Sequence, residues 1–114
     1  MAAAHYKSDN LCALIDSNGL QIDGEVSKVM NVASISDKFK AFGWHVIEID
    51  GHDMGQIVKA LDEAETLKGA PTAIVAKTVK GKGVHLFENK ASYHGVTPND
   101  EELPEALRCL GCCD

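Results

Sequence analysis

Asp16-Ser17-Asn18-Gly19-Leu20-Gln21-Ile22-Asp23-Gly24 is the stretch that decides how this chain is read. Directly before it stands a short apolar run, Leu11-Cys12-Ala13-Leu14-Ile15, which reads as a buried strand. The first strand is therefore placed at Leu11–Asp16, covered on both faces as continuous apolar runs usually are. The chain then turns at once through Ser-Asn-Gly. Gly19 permits a positive φ, and Asn18 tolerates tight turns. In an open α/β sheet, ligands collect outside the carboxyl ends of the strands. Asn18 would offer a neutral amide oxygen there, and the turn would free the backbone carbonyls of Gly19 and Leu20. Such oxygens suit a hard cation, Mg²⁺ or Ca²⁺, when a diphosphate and a carboxylate complete the shell. A plain strand-ending turn explains the same residues, because Asn-Gly is a common turn signal.

Outward from this stretch, the pattern alternates. Met1–Lys7 reads as the last turns of a helix, since Ala2, Ala3 and Ala4 are strong helix formers. Val26–Asn31 is compatible with a single helical turn. Ser36 is placed as the cap of a helix running to Phe42, with Phe39 and Phe42 on one face and Gly43 as its C′ stop. His45–Asp50 is the second strand. Asp53 caps the next helix, with Gln56 completing a capping box. That helix runs to about Leu67 and buries Met54, Ile57, Leu61 and Ala64 at helical spacing. Thr72–Lys77 is the third strand. Thr97, Asn99 or Asp100 caps a last helix carrying Leu103, Leu107 and Leu110. The order β-α-β-α-β-α implies parallel strands with helical crossovers. Three parallel strands covered on both faces need more neighbours than this chain supplies, because their two edges stay open. The reading is half of a doubly wound domain: a fragment, or a chain that completes its sheet with another polypeptide.

Composition bounds the function. With 114 residues the chain has room for one small domain. A net charge of −6 argues against nucleic acid or an anionic membrane as partner. No apolar run reaches the length of a membrane span, and Met1–Lys7 lacks the apolar core of a signal peptide, so a cytoplasmic protein is expected. Cys12 reads as a small core residue. Cys109, Cys112 and Cys113 place one C-x-x-C at the end of the chain. No paired Cys/His spacing supplies the second half of a zinc site, and a reduced, frayed tail is expected.

Two further features carry chemistry. Lys80 follows the third strand with Gly81 and Gly83 beside it, and Lys82 belongs to the same loop. A cation on Gly-rich backbone can cradle phosphate, or it can be a solvated basic turn. His94, in Ser92-Tyr93-His94-Gly95, sits in a polar loop. Its imidazole can donate to a phosphate or a substrate hydroxyl, or it is only surface. His45, His52, Asp50 and Asp53 read as structural groups at strand and helix ends.

Four segments, HYKSDNLCALIDSNGLQIDG (5–24), FGWHVIEIDGHD (42–53), PTAIVAKTVKGKG (71–83) and ENKASYHG (88–95), together resemble the transketolase family in order and spacing. The first is similar to the closing half of the family's thiamine diphosphate motif. The wording is nearest to the N-terminal subunit of split, two-subunit bacterial transketolases, with deoxyxylulose-phosphate synthase the nearest competitor.

The resemblance implies an α/β fold: three-layer α-β-α, a parallel sheet with flanking helices, residues 1–114 forming a single partial thiamine diphosphate-binding (PP-type) domain. It implies a transferase of the pentose phosphate pathway that moves a two-carbon ketol unit between sugar phosphates, using thiamine diphosphate and Mg²⁺ (or Ca²⁺). Asn18 matches the Asn that closes the metal motif, and the Leu20 carbonyl matches its backbone ligand. Ile22 matches a position packed against the cofactor. Lys80 matches a lysine near it. His94 matches a histidine that contacts both the diphosphate and the sugar, which makes it the candidate catalytic group. The Gly-Asp-Gly that opens the motif, with its charged metal ligand, has no counterpart in these residues, nor has the glutamate that activates the cofactor. The implied partner is a second copy or a pyrimidine-binding transketolase subunit. An isolated chain is expected to bind metal weakly and to be inactive; a non-catalytic module is the remaining alternative.

Overall fold

A computed structural model describes residues 1–111. In chain order its elements are α1 Ala2–His5, β1 Cys12–Ser17, β2 Leu20–Gln21, β3 Gly24–Glu25, α2 Val26–Val29 and α3 Ile35–Ala41. They continue with β4 His45–Asp50, α4 Met54–Thr66, β5 Thr72–Lys77, a 3₁₀ turn at Ala91–Tyr93, and α5 Glu102–Cys109. The contacts group into two compact units: Met1–Ser17 with Val32–Thr78, and Asn18–Asn31 with the chain from Val79 onward.

The first unit is built on a three-stranded parallel sheet in the order β1-β5-β4. Ala13 and Val46 both pair with Ala73, and Ile15 and Glu48 both pair with Val75. The last strand in sequence is thus the central one. Thr72, Ala73, Ile74 and Val75 are all buried there, Ile74 being 1% exposed. Expected strands two and three coincide with β4 and β5. The first begins one residue later than expected, and it is not covered on both faces: Leu14 is 63% exposed. Edge position explains this, since only β5 has a strand on either side.

Helices flank the sheet. α3 is capped by Ser34, not Ser36: the Ser34 Oγ accepts from the Asp37 N–H at 3.3 Å, while Ser36 is buried in the first turn. Its end is as expected. Gly43, at φ +82°, donates to the Lys40 carbonyl, and Trp44 donates to the Phe39 carbonyl. That is the Schellman pattern, and the Phe39 and Trp44 rings meet edge-on at 5.1 Å. Asp53 caps α4 by accepting from the Gln56 N–H at 3.1 Å. Gln56 returns Nε2 to Asp53 Oδ2 at 2.9 Å, and its Oε1 accepts from the Asp50 N–H. The buried stripe of α4 centres on Ala60. Met54 and Leu61, expected within it, are 69% and 43% exposed.

The second unit opens with a short hairpin. β2 pairs antiparallel with β3 around Ile22-Asp23, and the Val26 N–H donates back to the Gly19 carbonyl at 2.9 Å. The segment from Val79 folds as successive turns closed by Val84→Gly81, Phe87→Val84 and Asn89→Lys80 backbone bonds. Among the described residues of this unit, Val84 and Ala106 are the buried apolar ones. Asn99 caps the turn that leads into α5: its Oδ1 accepts from the Glu102 N–H at 2.8 Å, and Glu102 Oε2 accepts from the Asn99 N–H at 3.1 Å. This is a reciprocal capping box. Among the described residues no helix is long and apolar enough to cross a membrane.

Candidate functional site

Within the second unit, a cavity of about 250 Å³ is lined by Asn18, Leu20, Ile22, Lys80 and His94, together with Gln21 and Ala91. The five residues that match the family's cofactor site in the sequence therefore meet on one surface, although 76 positions separate the first from the last.

Local chemistry sets each of them. The Leu20 N–H donates to Asn18 Oδ1 at 2.8 Å, an Asx turn that fixes the amide plane. Gly19 sits at φ +74°. Ile22 stands at the hairpin tip and is 65% exposed. An apolar side chain held out of a core in this way is available to pack against a ligand.

Lys80 is half-buried, and its carbonyl accepts from the Asn89 N–H at 3.0 Å. Gly81 follows at φ +69°, and a Cβ there would lie 2.8 Å from the Phe87 carbonyl oxygen. Glycine is what lets the loop close against Phe87 and hold Lys80 in place. Lys82 is exposed and lines neither this cavity nor the next. His94 follows the 3₁₀ turn, its N–H donating to the Ala91 carbonyl at 2.9 Å.

A second cavity, of about 160 Å³, shares Lys80 and is lined by Phe87, Tyr93, Val96 and Pro98. The Phe87 and Tyr93 rings lie 4.6 Å apart. The Tyr93 hydroxyl donates to Glu102 Oε1 at 2.6 Å. That bond raises the tyrosine pKa above its ordinary value, and it lowers that of Glu102, where the Asn99 N–H adds to the effect. Sequence reading assigned no role to Tyr93 or Glu102. The available signal was the Asn99-x-x-Glu102 spacing, which marks a helix start and places the carboxylate.

The residues assigned to structure make these contacts. His45 Nε2 meets Glu63 Oε1 at 2.7 Å, Asp50 Oδ1 accepts from the His52 N–H, and Asp53 caps α4. Cys12 is half-buried, and burial pushes its thiol pKa up. The terminal Cys112 and Cys113 lie outside the described residues.

The donor set can be weighed against the group that the resemblance implies. An ammonium, an imidazole and an amide complement phosphate oxygens. For a divalent cation, Asn18 and the Leu20 carbonyl offer neutral oxygens only, and among the described residues no carboxylate lines the cavity. The residues thus fit a diphosphate, and they fit its metal only in part.

Comparison with known proteins agrees with the fold. The transketolase from Campylobacter jejuni superposes with a TM-score of 0.89 at 34% identity, over 96% of this chain and 17% of that one. The fold is accordingly that of a transketolase cofactor domain, a parallel sheet with flanking helices. The family model for the transketolase thiamine diphosphate-binding domain matches residues 1–113, and the chain belongs to that family.

One of the subunits of an apulose-4-phosphate transketolase from Phocaeicola vulgatus is 40% identical over 108 residues, 95% of this chain and 38% of the relative. A 6-deoxy-6-sulfo-D-fructose transketolase subunit from a Clostridium species is 39% identical over 94% of this chain and 39% of its own length. The chain thus spans about two fifths of these curated relatives.

Proposed function

We propose that this chain supplies part of the diphosphate and metal site of a transketolase, which passes a two-carbon ketol unit from a ketose phosphate to an aldose phosphate. The observation that carries the reading is the meeting of Asn18, Leu20, Ile22, Lys80 and His94 on one cavity. Carbanion stabilisation is what thiamine diphosphate brings when bound. The tasks left to these residues are to hold and orient. Lys80 places a positive charge against diphosphate oxygens. Asn18 Oδ1 and the Leu20 carbonyl complete part of the shell of a Mg²⁺ ion. Ile22 packs against the cofactor. His94 donates to a diphosphate oxygen or a sugar hydroxyl and carries a proton at its ring nitrogen.

Mg²⁺ dehydrates reluctantly and is usually held through carboxylates as well as phosphates. The neutral donor set therefore supports weak cofactor binding, and no turnover, by the 114 residues alone. A polypeptide bringing the Gly-Asp-Gly carboxylate and a pyrimidine-binding partner would complete the site. The subunit names of the two bacterial relatives support a two-part assembly.

The test is a ketol-transfer assay with xylulose 5-phosphate and ribose 5-phosphate, run on the chain alone and with such polypeptides added, alongside calorimetry with thiamine diphosphate and Mg²⁺. Turnover only in the completed mixture is expected. Lys80→Ala should raise the cofactor Kd, and His94→Ala should lower kcat about 10²-fold or more, the usual contribution of a positioned proton donor. If both variants match the parent in the completed mixture, the cavity is not the cofactor site.

A further inference from the structure

The sequence offered no second half for a zinc site around Cys109, but the fold does. Glu105 and Cys109 stand four residues apart on α5, so they share a face of that helix. The turns after Val79 bring His85 to the same place: its Nδ1 lies 3.2 Å from the Cys109 Sγ. One ligand atom from each of His85, Glu105 and Cys109 falls within 4.8 Å of the others. His85 is exposed, while Glu105 and Cys109 are half-buried.

We propose that His85, Glu105 and Cys109 bind a zinc ion. Thiolate and imidazole select a borderline-soft cation over Mg²⁺ or Ca²⁺, and nitrogen, sulfur and carboxylate oxygen are the donors zinc takes. With Zn–N near 2.1 Å and Zn–S near 2.3 Å, a tetrahedral ion would set nitrogen and sulfur about 3.6 Å apart. The observed 3.2 Å needs to open only slightly. The Glu105 carboxylate has two oxygens, so one can remain with Arg108, its neighbour on α5, while the other faces the metal.

Backbone holds the loop that presents His85. Val84, next to it, is 6% exposed, and the Phe87 N–H donates to the Val84 carbonyl at 2.8 Å. Binding exchanges one bond for another without redox change: the Sγ–H bond of Cys109 breaks, its proton leaves to solvent, and the sulfur lone pair forms the Zn–S bond. The fourth position is left to water. None of the three ligands lines the cavity assigned to the cofactor, so this site stands independently of that function.

The test is titration of the reduced 114-residue chain with Co²⁺, followed by displacement with Zn²⁺, in the absence of thiamine diphosphate. One equivalent of Co²⁺ should bind with a thiolate-to-metal charge-transfer band that Zn²⁺ abolishes. His85→Ala and Cys109→Ser should each weaken binding at least about tenfold, the lower bound seen for loss of mere supporting groups around a metal. Glu105→Gln should weaken it too, and Lys59→Ala, at an exposed position of α4, should leave it unchanged.

Far-UV circular dichroism of His85→Asn, a same-site variant with a smaller polar group, separates ligand loss from misfolding. Folded His85→Asn with weakened binding supports the site. Unchanged affinity in either His85 variant, or Co²⁺ bound without the charge-transfer band, overturns it. Metal held by the terminal cysteines alone would give the first of these results.

Discussion

A methyl group on Gly81 would collide with the Phe87 backbone, at 2.8–2.9 Å from its carbonyl, in a conformation that L residues rarely adopt. The Gly-rich segment after β5 reads in the sequence as flexible backbone around a fixed cation. Its glycine is instead required for a closed turn, because Lys80 and Asn89 are tied across it. Gly81→Ala is therefore expected to destabilise the chain by about 1–3 kcal/mol, the usual cost of a strained backbone position. Urea midpoints would measure it. Gly19→Ala is the control: it too has a positive φ, but nothing lies within 4 Å of its Cβ, so only the backbone penalty remains and the loss should be smaller. The same contrast shows what sequence can reveal at this scale. Asn18, Lys80 and His94, which line one cavity, could be picked out in the sequence because residue type and motif both pointed at them. Tyr93, Glu102 and the His85 contact with Cys109 were not, because each depends on which loops the fold brings together.

At the scale of elements, what was legible followed from strong local signals. α4 had Asp53 and Gln56 at capping spacing, and α3 had Gly43 at its end. The start of α3 was misplaced by two residues because Ser34 and Ser36 are chemically equivalent caps, and only the bond to the Asp37 N–H distinguishes them. The hairpin of β2 and β3 went unread because two residues per strand carry no alternation. The cap of α4 also makes a pH prediction. Asp53 accepts from the backbone and the side chain of Gln56, and these bonds hold its pKa below the ordinary 3.8. A carboxyl depressed on folding contributes stability above its unfolded pKa and loses it as pH falls through the folded one. Wild-type α4 should thus weaken as pH drops below about 3.8, the unfolded reference value. Asp53→Asn keeps a capping oxygen without the charge and should lack that increment. Thermal melts followed by circular dichroism should show the difference between the two proteins shrinking towards acid pH. A gap that is constant with pH would mean that the charge contributes nothing.

For the whole molecule, the decisive feature is how stability is distributed across the parallel sheet. Ile74 is among the largest fully buried side chains, in a strand bonded on both sides. Leu14, its register partner on β1, is 63% exposed. Truncating a buried Ile costs about 2–5 kcal/mol, a large share of the roughly 5–15 kcal/mol that holds a typical domain together. Ile74→Ala should therefore lower the urea midpoint by the equivalent of about 2–5 kcal/mol. Leu14→Ala should shift the midpoint by no more than about 0.5 kcal/mol, as exposed substitutions do. The pair also tests the expectation, drawn from the strand count, that this sheet continues through another polypeptide. In the chain alone the two variants should differ as stated. Once a complementing transketolase polypeptide is bound, Leu14→Ala should become costly, because its side chain would then be covered. If Leu14→Ala is already as damaging as Ile74→Ala in the isolated chain, β1 is covered without any complementing polypeptide, by copies of the chain itself. If it stays neutral in the completed assembly, the sheet does not extend past β1 on that face, and the added polypeptide docks elsewhere.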